Sequence, residues 1–365
     1  MNIDLLAEAG FRTAPNLKDK VLEAAKLFNE GVAGGPAEYR LKEAMSTSDY
    51  PLLLAKGFEV EAIQAQKDAV KEYESFAYET KVPDFRPKKL RDLFGDTEFD
   101  PVLEGEEYKA DSLEETEVEV RVGKFGRKFG YTWELDLSGD FTDMAAFPKR
   151  LGNGAVERSN RNVFGLFVDE DGPREDFFDE VHTERLTPDA IDNALQELAL
   201  KENHRGELVD TGGLVLLVPQ SLQIEANRIA EATELDRRVE DGEGRTVRTR
   251  VTNPYRGLIT VQVSKWLTKL DKSGNRASTW YLFASKSSDN PAVVRAELLG
   301  HENVDIRVKR DQGQRVGGGD VPFNEGSFDD DTIWFRGRSV DGAAPGFADE
   351  EGKALVAYAS NGSEA

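Results

Sequence analysis

A chain of 365 residues, 39% hydrophobic and 32% charged, carries enough apolar material to bury a sizeable core, as two domains or one domain with large excursions. It contains no cysteine, which excludes disulfides, thiolate zinc sites and thiol nucleophiles. With 69 acids against 47 bases the formal charge is −22, so the chain gains little by displacing counterions from nucleic-acid phosphates.

The opening MNIDLLAEAG lacks the charged-then-apolar layout of a signal peptide, and no apolar run approaches the ~20 residues that span a bilayer. Residues 1–80 read as amphipathic helices in pieces. Leu17, Val21, Ala24, Ala25 and Phe28 recur at helical spacing, and Gly31 with Gly34-Gly35-Pro36 ends that segment. After a turn-rich joint from Met45 to Pro51, a second helical pattern covers Phe58 to Tyr73. Neither pattern builds a full core, so an arm laid on other surfaces is expected.

Val82-Pro-Asp-Phe-Arg-Pro87 begins an extended region, and the chain is organised around the stretch from Phe99 to Phe147. Val118, Val120 and Val122 alternate with Glu117, Glu119 and Arg121, the period of a strand with one buried face. Tyr131, Trp133, Leu135 and Leu137 repeat the alternation and predict a second strand. The GKFGRKFG run between them reads as bulges and bends at Gly123, Gly126 and Gly130. Upstream, Pro101, Gly105 and a dense set of acids suit an exposed arm. The result is a long β-element whose root packs and whose tip needs a neighbour.

Pro148 is placed at the first turn of a helix reaching about Phe167, with Gly152, Gly154 and Gly165 allowing close approach of another backbone. Thr187 caps a helix with Pro188 at its first position, Ile191, Leu195 and Leu198 as its buried stripe and Gly206 as its stop. Leu214 to Val218 predicts a strand buried on both faces, followed by a helix to about Glu231. Arg237 to Arg250 reads as a mobile charged loop. Strands are expected at 258–263, 279–284, 292–299, 304–309, 332–338 and 354–359, with a loop from Asp341 to Gly352.

Catalytic motifs nearly occur, and each fails. Gly152-x-Gly154 has Glu157 where a dinucleotide fingerprint needs its third glycine. Gly352-Lys353 lacks the first glycine and the hydroxyl of a phosphate loop. Asp210-Thr-Gly212 resembles an aspartic-protease motif, but the chemistry needs two such aspartates, and the chain holds one. Asp169 and Asp171 before Gly172 fall short of calcium-loop spacing, and His182, His204 and His301 show no metal-ligand pattern. No catalytic, cofactor or metal site is expected.

The order of segments resembles the major capsid proteins of tailed bacteriophages, with the Hong Kong 97-type fold, and in particular the Mu-like major head subunit branch. The matching pieces are Pro101-Val-Leu-Glu-Gly-Glu-Glu-Tyr108, Lys124-Phe-Gly126, Tyr131-Thr-Trp-Glu134, Asp140 through Phe147 and the helix from Pro148. Further on, Leu216-Leu-Val-Pro219, Asn253-Pro-Tyr-Arg-Gly257, Trp280-Tyr-Leu-Phe-Ala284 and Leu298-Leu-Gly300 resemble signposts of the axial domain. The match spans roughly residues 82–360.

The resemblance implies an α+β fold with an N-terminal arm (1–84), an extended β-hairpin loop (85–135), a peripheral domain with a long spine helix (136–185), an axial domain (186–320), and return strands of the peripheral domain (321–365). It implies a self-assembling shell of hexamers and pentamers enclosing double-stranded DNA without sequence-specific binding. The partners implied are a separate scaffolding protein, a portal and a decoration protein, with no membrane and no cofactor. Localisation is the virion, after assembly in the host bacterial cytoplasm. Glu104, Glu106 and Glu107 on one limb of the loop, and Lys124, Arg127 and Lys128 on the other, are the candidate intersubunit contacts. Some relatives cross-link a loop lysine, for which Lys88, Lys89, Lys109, Lys124 and Lys128 are available. An encapsulin-like cargo shell is the alternative on the same fold; a hydrolase using Asp210 and a tail or baseplate protein belong to other classes.

Overall fold

The computed structural model describes residues 1–8, 17–45, 47, 49–94, 114–138, 141–202, 208, 213–240, 246–288, 290–309, 313–314, 316–319, 321, 328–348 and 352–363. In chain order the elements begin with α1 (Ile3–Glu8), α2 (Leu17–Val32), α3 (Pro36–Met45) and α4 (Tyr50–Asp68). Then come β1 (Ala77–Val82), β2 (Lys88–Phe94), β3 (Glu114–Val120), β4 (Gly123–Thr132), α5 (Trp133–Ser138) and α6 (Thr142–Phe164). Next are β5 (Val181–His182), α7 (Pro188–Ala199), β6 (Leu214–Val218), α8 (Gln223–Glu231), β7 (Glu234–Glu240) and β8 (Thr246–Thr252). The chain closes with β9 (Ile259–Val263), α9 (Lys265–Leu270), β10 (Trp280–Ala284), β11 (Val293–Leu298), β12 (Asp305–Val308), β13 (Thr332–Pro345) and β14 (Ala357–Ser360).

Two compact units result. The first is made of residues 1–70, 123–158 and 298–341. Its sheet has β13 between β4 and β12, all antiparallel. Helices α2, α3, α4 and α6 bury Phe28, Leu41, Phe58 and Phe147 together with Tyr131, Ile333 and Phe335 of that sheet. Phe58 meets Phe28 and Phe335 edge-on at 5.6 and 5.8 Å, and Phe129 stacks on Phe147 at 4.9 Å, geometries that aromatic quadrupoles favour. Residues 1–84 were expected as an arm laid on other surfaces. Residues 1–70 supply one side of this core, where α2, α3 and α4 pool stripes that are each too narrow to bury alone.

The second unit is made of residues 71–122, 159–297 and 342–365. Its five-stranded sheet runs β5-β14-β10-β6-β9, with β6 parallel to β9 and antiparallel to β10. Strand periodicity divides the side chains between two layers. Val215, Leu217, Tyr281, Phe283, Ala357 and Ala359 pack with Phe164, Phe167, Phe177 and Phe178. Leu214, Leu216, Val218, Trp280, Leu282 and Tyr358 pack with Ile191 and Leu198 of α7 and Ala226 and Ile229 of α8. A strand covered on both faces has no use for polar positions, which is why Leu214 to Val218 reads without alternation.

Several expectations hold, such as the cap of α7, where Thr187 Oγ1 accepts from Ala190 N at 3.2 Å. Others change. Trp133 to Ser138 is a helix, not a strand: Thr132 Oγ1 accepts from Leu135 N at 3.3 Å, and Ser138 Oγ donates back to the Glu134 carbonyl at 2.9 Å. Leu137 is exposed, so alternation there did not report a buried face. The GKFGRKFG run is continuous strand, because all of β4 pairs with β13. Helix α6 starts at Thr142 and carries Pro148 inside it, since Phe141, Met144 and Phe147 are already seated in the first unit's core.

Helix α4 begins at Tyr50, eight residues before the periodic stretch at Phe58. Helix α7 ends at Ala199, well short of Gly206, which lies outside the described residues. The charged segment at 237–250 belongs to a hairpin, β7 with β8, in register from Glu234↔Thr252 to Glu240↔Thr246. Strand β13 runs on to Pro345, through the beginning of the expected loop. The final strand pairs as β14 with β10.

Candidate intersubunit surfaces

The first surface is the β2–β3 hairpin. Its strands are in register from Lys88↔Val120 to Phe94↔Glu114. Val118, Val120 and Val122 are buried while Glu117, Glu119 and Arg121 are exposed, so the root packs by one face as the alternation predicts. The Lys89 ammonium bonds the Glu117 carboxylate across the strands, and Lys88 Nζ donates to the Lys81 carbonyl at 2.9 Å. The limb facing the acidic strand is therefore β2. Lys124, Arg127 and Lys128, expected on the other limb of the same loop, belong to β4 in the other unit's sheet. Glu104, Glu106, Glu107 and Lys109 lie outside the described residues, as does Asp210.

The second surface is the open face of β4, β13 and β12. Strands β4 and β13 stay in register from Gly123↔Asp341 to Thr132↔Thr332. Because neighbours along a strand point to opposite faces, Phe129, Tyr131, Ile333 and Phe335 share the helix-covered side, and Lys124, Lys128, Trp334 and Arg336 share the other. Strand β12 adds Arg307 opposite Arg336 and Asp305 opposite Arg338. Asp305 pairs with two of these cations, 2.8 Å from Arg338 and 3.0 Å from Arg307. Lys128 Nζ stands 5.8 Å over the Trp334 ring, close enough for a cation–π contact. Lys124, Lys128 and Arg336 are all exposed.

The three cations singled out in sequence thus divide. Lys124 and Lys128 lie on the open face. Arg127, opposite Gly337, lies on the face where the Arg158 guanidinium covers the Phe125 ring at 4.1 Å. Arg307, Arg336 and Arg338 were missed, since they sit some 180–210 residues downstream of Lys128 and only strand register gathers them. The alternation Trp334-x-Arg336-x-Arg338 was the one signal for them in the sequence.

The Asn253-Pro-Tyr-Arg-Gly257 signpost has a structural basis. Asn253 Nδ2 donates to the Ile229 and Ala232 carbonyls at 2.7 and 2.8 Å, closing the end of α8, and its Oδ1 accepts from Tyr255 N. Tyr255 Oη reaches Asp192 Oδ1 of α7 at 2.6 Å. Among the described residues no three acidic, imidazole or thiol side chains converge as a metal set, and no helix is long and apolar enough to cross a membrane.

The family model described as phage capsid protein matches residues 115–356, more than half of the chain. No curated protein matches. The capsid of cyanophage P-SCSP1u is similar at 10% identity, covering 80% of this chain and 88% of that one, with TM-score 0.47. The head structure of Helicobacter pylori bacteriophage KHP40 is similar at 9% identity, over 77% and 85% of the two chains, with TM-score 0.47. Mycobacterium phage Patience gives 12% identity over 88% and 91%, with TM-score 0.43. The chain belongs to the phage capsid protein family. It is therefore a structural protein of the virion, with a mixed helix-and-sheet fold.

Proposed function

We propose that the chain closes into hexamers and pentamers of an icosahedral head around double-stranded DNA, and that charge pairing between copies sets their register. In this reading the acidic residues of one copy's hairpin, Glu104, Glu106 and Glu107 with Glu117 and Glu119, lie on the open basic face of a neighbour. Lys124 and Lys128, joined by Arg336, receive them, while Arg127 serves a separate contact on the opposite face. The hairpin takes the part of the extended loop, α6 that of the spine helix, and the β5-β14-β10-β6-β9 sheet with α7 and α8 that of the axial domain.

One observation carries the reading: Lys124, Lys128, Arg307, Arg336 and Arg338 gather on one sheet face of a chain whose net charge is −22. Such a face attracts acidic partners and repels other cationic ones, which gives register more than affinity. Many weak contacts repeated by symmetry then accumulate avidity. The role is structural rather than catalytic, and a scaffolding protein, a portal and a decoration protein complete the particle in the host cytoplasm. The family match favours a phage head over an encapsulin-like cargo shell.

Electron microscopy and sedimentation of the purified chain test the pairing. Lys128→Glu with Arg336→Glu is expected to abolish shells at low salt while leaving a folded subunit. Arg127→Glu is expected to leave shells intact. Shells of the double variant matching those of the unaltered chain would sink the charge-pairing proposal.

A further inference from the structure

Two short polar loops of the second unit meet beside Tyr281. In the first, Asp169-Glu-Asp-Gly172, Asp169 N donates to the Gly172 carbonyl and Asp171 N to Asp169 Oδ1, both at 2.9 Å. The second, Asp271-Lys-Ser-Gly-Asn275, follows α9 and is tied to the first where Lys272 N donates to the Glu170 carbonyl at 2.9 Å. Gly172 sits at φ +117°, and a Cβ there would stand 3.7 Å from Asp271 Oδ2. The carboxylate therefore lies beside the first loop, at ordinary contact distance from Gly172.

Asp271 is 2% exposed. Its Oδ1 accepts from Ser273 N at 2.7 Å, but its Oδ2 has no hydrogen-bond partner. The Tyr281 hydroxyl, fully buried, has none either. Burial, and then the charges of Asp271 and Asp169, hold the Tyr281 phenol well above its ordinary value. A buried carboxylate oxygen without a donor is costly unless a positive charge compensates it. Asp271, Ser273 and Asn275 also repeat oxygen-bearing side chains at alternate positions, the spacing with which a loop wraps calcium.

We propose that these two loops hold a hard divalent cation of the calcium class, anchored by Asp271 Oδ2 with Asp169 as the second carboxylate. Ser273 and Asn275 supply neutral oxygens, and water completes the roughly 6–8 ligands that calcium takes. With two carboxylates the site binds in the range of about 10⁻⁴–10⁻³ M, that of low-charge calcium modules. Magnesium, which demands near-ideal octahedral geometry, fits two joined loops less well. The bound ion would fasten the loop after α6 to the loop after α9 and so stiffen the second unit.

The test uses the full chain stripped with EDTA, followed by thermal unfolding in CaCl2 or MgCl2 and by terbium luminescence excited through the buried aromatics. The expected result is a melting temperature raised by about 2–4 °C at ~10 mM CaCl2, a smaller rise with MgCl2, and terbium emission displaced by calcium. Asp271→Asn is expected to weaken calcium binding at least tenfold. Should Asp271→Asn fail to fold, Asp169→Asn, on an exposed turn, is expected to show the same loss. An unaltered chain indifferent to calcium, or an Asp169→Asn chain that binds terbium and calcium as tightly as the unaltered one, overturns the proposal.

Discussion

Arg295 Nη1 lies 3.0 Å from Glu79 Oε1, joining β11 to β1 through a guanidinium whose side chain is 5% exposed. The same nitrogen reaches Glu297 at 2.7 Å, Nη2 reaches Ser159 Oγ at 3.3 Å, and the group sits 4.9 Å over the Tyr73 ring. One cation thus ties β1, the end of α6 and β11 within the second unit. Arg295→Met removes a buried charge whose partners keep some contact with water, so a loss of about 2–3 kcal/mol is expected. Arg295→Lys is expected to recover only part of it, because an ammonium lacks the planar fork. Urea unfolding of the unassembled chain measures both, and an unchanged midpoint in the Met variant would refute the assignment.

Glycines at 152 and 154 in α6 should respond to alanine in opposite directions. A Cβ at 152 would lie 2.3 Å from the Ala62 carbonyl oxygen of α4, whereas one at 154 meets nothing within 4 Å. Gly154→Ala should stabilise by roughly 1 kcal/mol through helix propensity, and Gly152→Ala should destabilise by forcing α4 and α6 apart. Thermal melting of the two variants provides the comparison; equal shifts would contradict the close crossing.

Asn253 makes three bonds that no other side chain can reproduce in that place, two to carbonyls and one from an amide. Asn253→Ala leaves the two carbonyls at the end of α8 short of a donor, at an expected cost of about 2–4 kcal/mol. Asn253→Asp retains the acceptor and loses both donors, so it should rescue little. Solubility and denaturant midpoints of the three chains report the effect.

Alkaline pH should unfold both units as their buried tyrosines ionise. Burial raises the Tyr50 and Tyr358 phenols well above the ordinary value, and Tyr281 likewise. A phenol raised in the folded state costs nothing below the unfolded pKa of about 10. Above it the unfolded chain ionises first, so stability falls as pH rises from there toward the folded value. Absorbance of tyrosinate should therefore show a late class that appears only with unfolding. Titration of every tyrosine near pH ~10 in a still-folded chain would contradict it.

The legible parts of this fold were those in which local pattern and tertiary role coincide. Thr187-Pro188 announced α7 because cap and first-turn residues act within one helix end. Val118, Val120 and Val122 announced a strand with one packed face, and Leu214 to Val218 a strand packed on both. Trp133 to Leu137 misled, because alternation over so few residues cannot separate a strand from one and a half turns of helix. Pro148 misled as well: its preference for a first turn yielded to the burial of Phe141 and Met144 one turn and more upstream. On the candidate surface, Lys124 and Lys128 were visible as charges near a strand, whereas Arg336 and Arg338 acquired meaning only through their register with β4.

By itself the amino-acid sequence settled the ingredients: a cysteine-free acidic chain of mixed helix and strand, a hairpin with a greasy root, and a family resemblance spread along most of its length. Tertiary structure alone decided which charges share a face and whether residues 1–70 have a core. Periodicity is a property of neighbours along the chain, but a sheet face is defined by hydrogen bonds between strands some two hundred residues apart, and no local pattern encodes which strand will lie beside which.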